Sequence, residues 1–266
     1  MAVRVRAGAA EIVALRDGEH PLNREWHFPD VPARAWEGQD ERPLTFGGYL
    51  VLADSKVVLV DTGWGPYLGP PGGLDAPAGL LTELAEAGVT PDDVDLVVFT
   101  HLHPDHVGWN LVLEEPVRPR FGNARYLVPR ADWEHYRALE RAHPNIVQQA
   151  LPLEDLGVLE LIDDGHRVTP SLRAAALPGH TPGHTGYVVG DRDAFLLGDL
   201  AHHPVVLDET GWVQRFDLDP ERAVATRETT LARVEEDRTL VGLGHFPHPG
   251  LGYVIRKEGR REWLPL

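Results

Sequence analysis

Residues 100–110 read THLHPDHVGWN, which sets His101, His103, Asp105 and His106 inside six consecutive positions. The run just before them, Asp95–Thr100, is short and apolar and reads as a buried strand. A turn at a strand end can aim alternate side chains into one cleft, and Pro104 restrains that turn. Imidazole nitrogen and carboxylate oxygen together suit borderline divalent cations, zinc first, with iron, manganese or cobalt as alternatives. A lone histidine is usually structural or exposed; three beside an aspartate are poorly explained that way.

Further residues of the same chemistry stand at later strand ends. The stretch LPGHTPGH gives His180 and His184 after the strand Leu172–Leu177. FLLGD gives Asp199, and GLGH gives His245. The ligand-type residues number at least seven. That is too many for one tetrahedral zinc, and it suits two ions sharing a bridging carboxylate.

The chain has 266 residues with 42% hydrophobic content, ample for one large α/β domain over 1–266. No stretch approaches the roughly 20 apolar residues of a membrane helix. The N-terminus reads as a first strand and not as a signal peptide, so a cytoplasmic protein is expected. Cysteine is absent, which excludes disulfides, Cys-ligated zinc and thiol nucleophiles. The formal net charge of −16 repels phosphate backbones, so nucleic acid is not an expected partner, nor is a membrane. A small-molecule substrate is.

The first half reads as short strands, VRVRAG, EIVALRD, TFGGYLVLAD and KVVLVDTG, broken by turn residues. Residues 19–44 interrupt them with a polar, proline-containing insertion carrying Trp26, His27, Phe28 and Trp36. Aromatics on an irregular segment fit a lid, a pocket wall or a homodimer face. GPYLGPPGGLDAP is a second loop, and AGLLTELAEAG has helical spacing and ends on Gly88. Helices are also predicted over 130–143 and over 219–237, the latter with Asp219 as N-cap and Pro220 in its first turn. Helices and strands alternate in both halves. The simplest arrangement is two sheets face to face with helices outside.

The ordered set VDTG, HLHPDH, PGHTPGH, GD and a late GH resembles the metallo-β-lactamase superfamily, from about residue 45 to residue 248. The resemblance implies an αββα four-layer sandwich and two divalent metal ions. It implies His101, His103 and His184 around one ion, Asp105, His106 and His245 around the other, and Asp199 between them. Asp61 of VDTG would support the ligand loop from behind, and His180 would have a supporting or structural role. Histidine at 103 favours hydrolysis over the redox members, which commonly carry Glu there. The lack of cysteine and the presence of Asp199 argue against lactam hydrolysis. HVGWN, ARYLVPRADWEHY and GDLAHHPVV look most like the acyl-homoserine lactonase and methyl parathion hydrolase-like branch. Where well-studied lactonases have a tyrosine three residues after the bridging aspartate, this chain has His202, followed by His203.

The implied activity is a dinuclear metal-dependent hydrolase that opens lactones or cleaves small carboxylic esters through a metal-bridging hydroxide. Asp105 would shuttle the proton, and His202 or His203 would donate a hydrogen bond to the oxyanion. Trp26, Phe28, Trp36, Trp64, Tyr67 and Trp109 are candidate walls of an aromatic pocket suited to an acyl chain or aryl ester. Phosphotriester hydrolysis and glyoxalase II-like thioester hydrolysis are the alternative activities. An inactive ligand-binding relative is disfavoured because no ligand position is missing.

Overall fold

Alternation along the strands decides the architecture. On the strand Lys56–Val60, Val58 and Val60 pack into one apolar cluster and Leu59 into another. On Leu44–Ala53, Leu50 and Val51 divide in the same way. A strand buried on both faces must have a layer above and a layer below.

The computed structural model describes residues 3–39, 42–68 and 78–266. Residues 40 and 41 of the insertion, and 69–77 of the second loop, lie outside the described residues. In chain order the first half gives β1 Arg4–Ala7, β2 Ala10–His20, β3 Leu44–Ala53, β4 Lys56–Val60 and β5 Leu96–Val98. A small ribbon follows, β6 Leu111–Val112 and β7 Arg118–Pro119, then β8 Arg125–Pro129 and β9 Leu159–Ile162. The second half gives β10 Arg167–Thr169, β11 Leu172–Ala176, β12 Thr185–Val189, β13 Ala194–Leu196, β14 Leu240–Gly242, β15 Leu251–Lys257 and β16 Arg260–Pro265. The helices are α1 Arg24–His27, α2 Leu80–Glu86, α3 Arg130–Arg137, α4 Val205–Asp208 and α5 Pro220–Asp237.

The strands form two seven-stranded sheets, ordered β1-β2-β3-β4-β5-β8-β9 and β10-β11-β12-β13-β14-β15-β16. Each is mixed, with parallel neighbours at β4–β5–β8–β9 in one and β13–β14 in the other. One cluster, including Val51, Val58, Leu127, Leu172, Tyr187 and Leu240, takes residues from both sheets and is the layer between them. A second packs Leu80 and Leu84 of α2 and Trp133 and Tyr136 of α3 on the outside of the first sheet. A third packs α4 and Leu231 and Val234 of α5 on the outside of the second. This is the αββα sandwich that the sequence predicts.

Asp219 caps α5 as expected: its carboxylate accepts from the Arg222 amide at 3.1 Å, and Pro220 opens the helix. The helix predicted over 130–143 is shorter. It stops at Arg137 because Leu139 no longer faces the core, and the chain turns so that Asn145 can reach the site. The described aromatics of the insertion divide between core and surface. Phe28 and Trp36 are buried under the second sheet's outer layer, while Trp26 on α1 is 43% exposed.

Candidate metal centre

The site is built where β5 and β13 run out. Asp61, just past β4, sits in the left-handed region at φ 61°, a conformation that Asp tolerates better than most residues. From there its carboxylate accepts from the Thr100 amide and hydroxyl, each at 2.7 Å, and from His106 Nδ1 at 2.9 Å. The Thr185 amide donates to Thr100 O at 2.8 Å, tying the second sheet to the same strand end.

Two groups of ligand-type side chains converge there. His101, His103, His180 and Asp199 form one, and Asp105, His106, Asp199 and His245 the other; within each, the ligand atoms lie within 4.8 Å of one another. His103 Nδ1 is 3.0 Å from His101 Nε2 and 2.9 Å from His180 Nε2. Asp199 Oδ2 lies 2.9 Å from His245 Nε2 and 3.4 Å from both His106 Nε2 and His180 Nε2. Asp105 Oδ2 is 3.4 Å from His245 Nε2.

This donor set fits cations. Ring nitrogens aimed at one point from three histidines cannot all be satisfied by sharing protons. His106 Nε2 and Asp199 Oδ1 are buried without a hydrogen-bond partner, an arrangement that is costly unless a ligand fills it. The electrostatics agree. Burial, reinforced by neighbouring histidines, holds His101 and His103 well below the usual imidazole range, so both rings present lone pairs. Burial also opposes charge on His180, but its bonds to Asp199 and Asp217 prevail and raise it to about 9. His106 is likewise raised against its burial, by Asp199, Asp105 and Asp61. Protons thus take the place of positive charge beside the carboxylates.

The pairing of His180 and His184 is the reverse of the sequence-based expectation. His184 belongs to neither group. Its Nδ1 donates to Leu177 O at 2.9 Å and its Nε2 accepts from the Asp199 amide at 3.0 Å, so both nitrogens are used. His180, on the loop beyond β11, turns Nε2 inward while Nδ1 donates to Asp217 at 2.9 Å. A ligand histidine needs one free nitrogen and one anchored one, and only His180 meets that condition.

His202 Nε2 lies 3.1 Å from Asp199 Oδ2, and burial lowers its pKa to about 4. Beside the cluster opens a cavity of 490 Å³ whose wall includes Trp26, Leu44, Phe46, Trp64, Phe216 and His202. Asp105 and His103 are at its floor. Of the aromatic residues predicted as pocket walls, Trp26 and Trp64 line it. Phe28 and Trp36 do not: they pack under His203, with ring centroids 6.1 and 5.1 Å away. His203 is itself turned from the cavity, its Nδ1 accepting from the Val205 amide. Trp109 is buried, donating from Nε1 to Asp17 at 2.8 Å. Tyr67 is exposed, its hydroxyl accepting from the Leu113 amide.

Several residues of the site escape a reading of the sequence. Asp132 on α3 accepts from the Leu102 amide, the Thr181 hydroxyl and the Gly183 amide, so it stitches the two histidine loops together. Asp17 accepts from the amides of Gly65 and Leu80. Phe46 and Phe216, on opposite sides of the chain's midpoint, complete the apolar wall. Only the clustering of aromatics near 212–216 gives any advance sign of these.

Comparison with known proteins agrees with this geometry. Residues 48–245 match the family model described as the metallo-beta-lactamase superfamily. An N-acyl homoserine lactonase of Bacillus cereus is 22% identical over 173 residues, 62% of this chain and 61% of that protein. The chain thus matches under two thirds of the length of such curated relatives. Among solved structures, hydrolase AbOPH of the beta-lactamase superfamily superposes with a TM-score of 0.86 at 24% identity, covering 100% of this chain and 97% of the other. AidC, described as a dizinc quorum-quenching lactonase, superposes with 0.85 at 22% identity and the same coverage. These two likenesses are of fold. Because the family model spans most of the sequence and its motifs supply the converging side chains, the chain belongs to the metallo-beta-lactamase superfamily.

Proposed function

We propose that this protein is a dinuclear metal-dependent hydrolase of lactones and small carboxylic esters, with zinc the leading candidate metal. The observation that carries the reading is the shared carboxylate: Asp199 belongs to both ligand groups, and members of both, His103, Asp105, Asp199 and His245, line one largely apolar cavity. His101, His103 and His180 would hold one cation, Asp105, His106 and His245 the other, with Asp199 common to both. When bound, such a pair lowers the pKa of water toward neutrality and polarises a carbonyl.

The chain's own groups supply the rest. Asp105 presents a carboxylate at the cavity floor, held ionised by His106 and His245 against its burial, and can take and return a proton there. His202 is a neutral ring within reach of Asp199, and its Nε2–H is placed to donate to a carbonyl oxygen lodged beside that carboxylate. Trp26, Phe46, Trp64 and Phe216 exclude water and offer an acyl or aryl group a surface without charge.

The test is a substrate panel on metal-analysed protein: an acyl-homoserine lactone, a simple lactone, an aryl ester, a phosphotriester and S-lactoylglutathione. Turnover of the lactones and the aryl ester, lost in Asp199→Asn, is expected. A preference for the thioester or the phosphotriester would overturn the reading.

A further inference from the structure

The chain carries a net charge of −16, yet a second cavity, of 480 Å³, has four arginines in its wall: Arg167, Arg173, Arg192 and Arg233. It lies where the edge strand β10, the start of β11, the turn between β12 and β13, and α5 meet. This is the end of those strands away from the metal centre. His180 follows β11, His184 precedes β12 and Asp199 follows β13 at their opposite ends.

Strand register brings two of the arginines together. On β11, Leu172 and Ala174 face the layer between the sheets, so alternation turns Arg173 outward, to the side that α5 covers. A regular ladder continued from the Thr169–Leu172 pair would set residue 167 opposite Ala174, on the inner face. The register instead shifts between Arg167 and Thr169, and Arg167 stands opposite Arg173. Directly opposed residues hold their Cβ atoms about 4.5–5.5 Å apart, and like charges so placed repel. Neither guanidinium has an ion-pair or hydrogen-bond partner among the described residues. A single charge on an edge strand is enough to discourage pairing with another sheet. That role explains neither a second cation opposite the first nor the two that close the cavity.

The other wall is arranged differently. Arg192 Nη1 donates to Asp237 Oδ2 at 3.0 Å, and Arg233 Nε lies 3.8 Å from the same oxygen, so two guanidiniums share one carboxylate. Against the four arginines stand Asp191 in the wall and Asp237 behind it, which leaves a surplus of two positive charges. The base is fixed in advance. Asp54 accepts from the Thr169 hydroxyl at 2.8 Å, the Ser171 amide at 2.7 Å and the Ser171 hydroxyl at 3.0 Å. The turn that joins Arg167 to Arg173 is thereby pinned to the first sheet, and little order remains to be gained on binding.

We propose that this cavity is a binding site for a small phosphate monoester, seated between Arg167 and Arg173 and closed by Arg192 and Arg233. A monoester carries a charge of about −1.5 to −2 at neutral pH, which matches the surplus. Guanidinium forks pair with its oxygens two at a time. The volume falls within the range of small-ligand sites, about 300–1,000 Å³. The inference is independent of the hydrolase reading.

The test is calorimetric titration of the metal-loaded chain, at fixed ionic strength, with glycerol 3-phosphate, inorganic phosphate and succinate. Parent, Arg167→Gln, Arg173→Gln and Arg130→Gln are compared, the last removing an equal charge on α3. The parent should bind both phosphates, and succinate about tenfold more weakly. Each of Arg167→Gln and Arg173→Gln should weaken glycerol 3-phosphate by about tenfold, and Arg130→Gln by less than about twofold. No phosphate binding by the parent, equal weakening in all three variants, or succinate bound as tightly as phosphate would overturn the proposal. Amide 1H–15N spectra then locate the ligand. Glycerol 3-phosphate should shift amides at 167–173 and 190–192; shifts confined to 101–106 would place it at the metal centre and refute the site.

Discussion

Arg227 Nη2 donates to Asp217 Oδ2 at 2.9 Å, and neither side chain has any exposure to solvent. Three more of the guanidinium's N–H groups are taken by the carbonyls of Leu200, Thr210 and Trp212. The other oxygen of Asp217 holds His180 Nδ1, so the ion pair fixes the direction in which His180 points. Breaking such a pair by removing one partner strands the other charge. Arg227→Met should therefore cost about 3–5 kcal/mol, read by denaturant unfolding. Asp217→Asn should fold, yet weaken cation binding by about 10–100-fold, read by competition with a chelating dye. Unchanged cation affinity in Asp217→Asn would mean that His180 needs no orientation.

Asp132 serves the same end by a different route. Its Oδ2 accepts from Leu102 and Thr181 and its Oδ1 from Gly183. In Asp132→Asn one side of the carboxamide must turn N–H groups toward donors, leaving a buried group unmet. A loss of about 1–3 kcal/mol is expected in thermal or denaturant unfolding. A variant as stable as the parent would show that the two histidine loops hold together without it.

The sign of one pH dependence follows from His184. Its Nε2 must be unprotonated to accept from Asp199, and burial, with His180 nearby, pushes its pKa down to about 3. The unfolded ring takes a proton near 6.5. With the folded pKa below the unfolded one, the contribution is complete above about 6.5 and is lost as pH falls toward about 3, at about 1.4 kcal/mol per unit. Unfolding measured at pH 8, 6 and 5 should show a shallower decline for His184→Gln than for the parent. Parallel declines would place the titration elsewhere.

The cavity mouth yields a prediction for substrate length. Phe216 meets Trp26 edge-on at 5.1 Å, and Arg215 stacks over the same indole at 5.1 Å. Phe216→Ala removes one side of that wall. It should raise KM for a long-chain acyl ester several-fold while a short ester is little affected, in steady-state kinetics at matched metal content. Equal changes for both esters would remove Phe216 from the acyl-binding surface.

The fold was legible because its strands alternate cleanly and its ligand-type residues sit at strand ends, both local properties of the chain. The parallel and antiparallel order of the sheets was not, since pairing is a long-range matter. At the site, HLHPDH, Asp199 and His245 could be picked out by type and spacing. The choice between His180 and His184 could not: it turns on Asp217, Leu177 and the Asp199 amide, none of which is marked in the sequence as their partner. Among the predicted pocket aromatics, Trp26 and Trp64 line the cavity, and others were misplaced for the same reason. Trp109 closely follows HLHPDH and Trp36 lies in the insertion, but Asp17 and His203 draw their rings into the interior. Asp132, on a helix turn that reads as ordinary surface, is buried because three donors face it.

The most direct test of the two-cation centre is elemental analysis of purified parent, His180→Ala and His184→Gln, each confirmed folded. Two divalent ions per chain are expected in the parent and in His184→Gln, and fewer than two in His180→Ala. One ion or none in the parent, or full occupancy in His180→Ala with loss in His184→Gln, would contradict it.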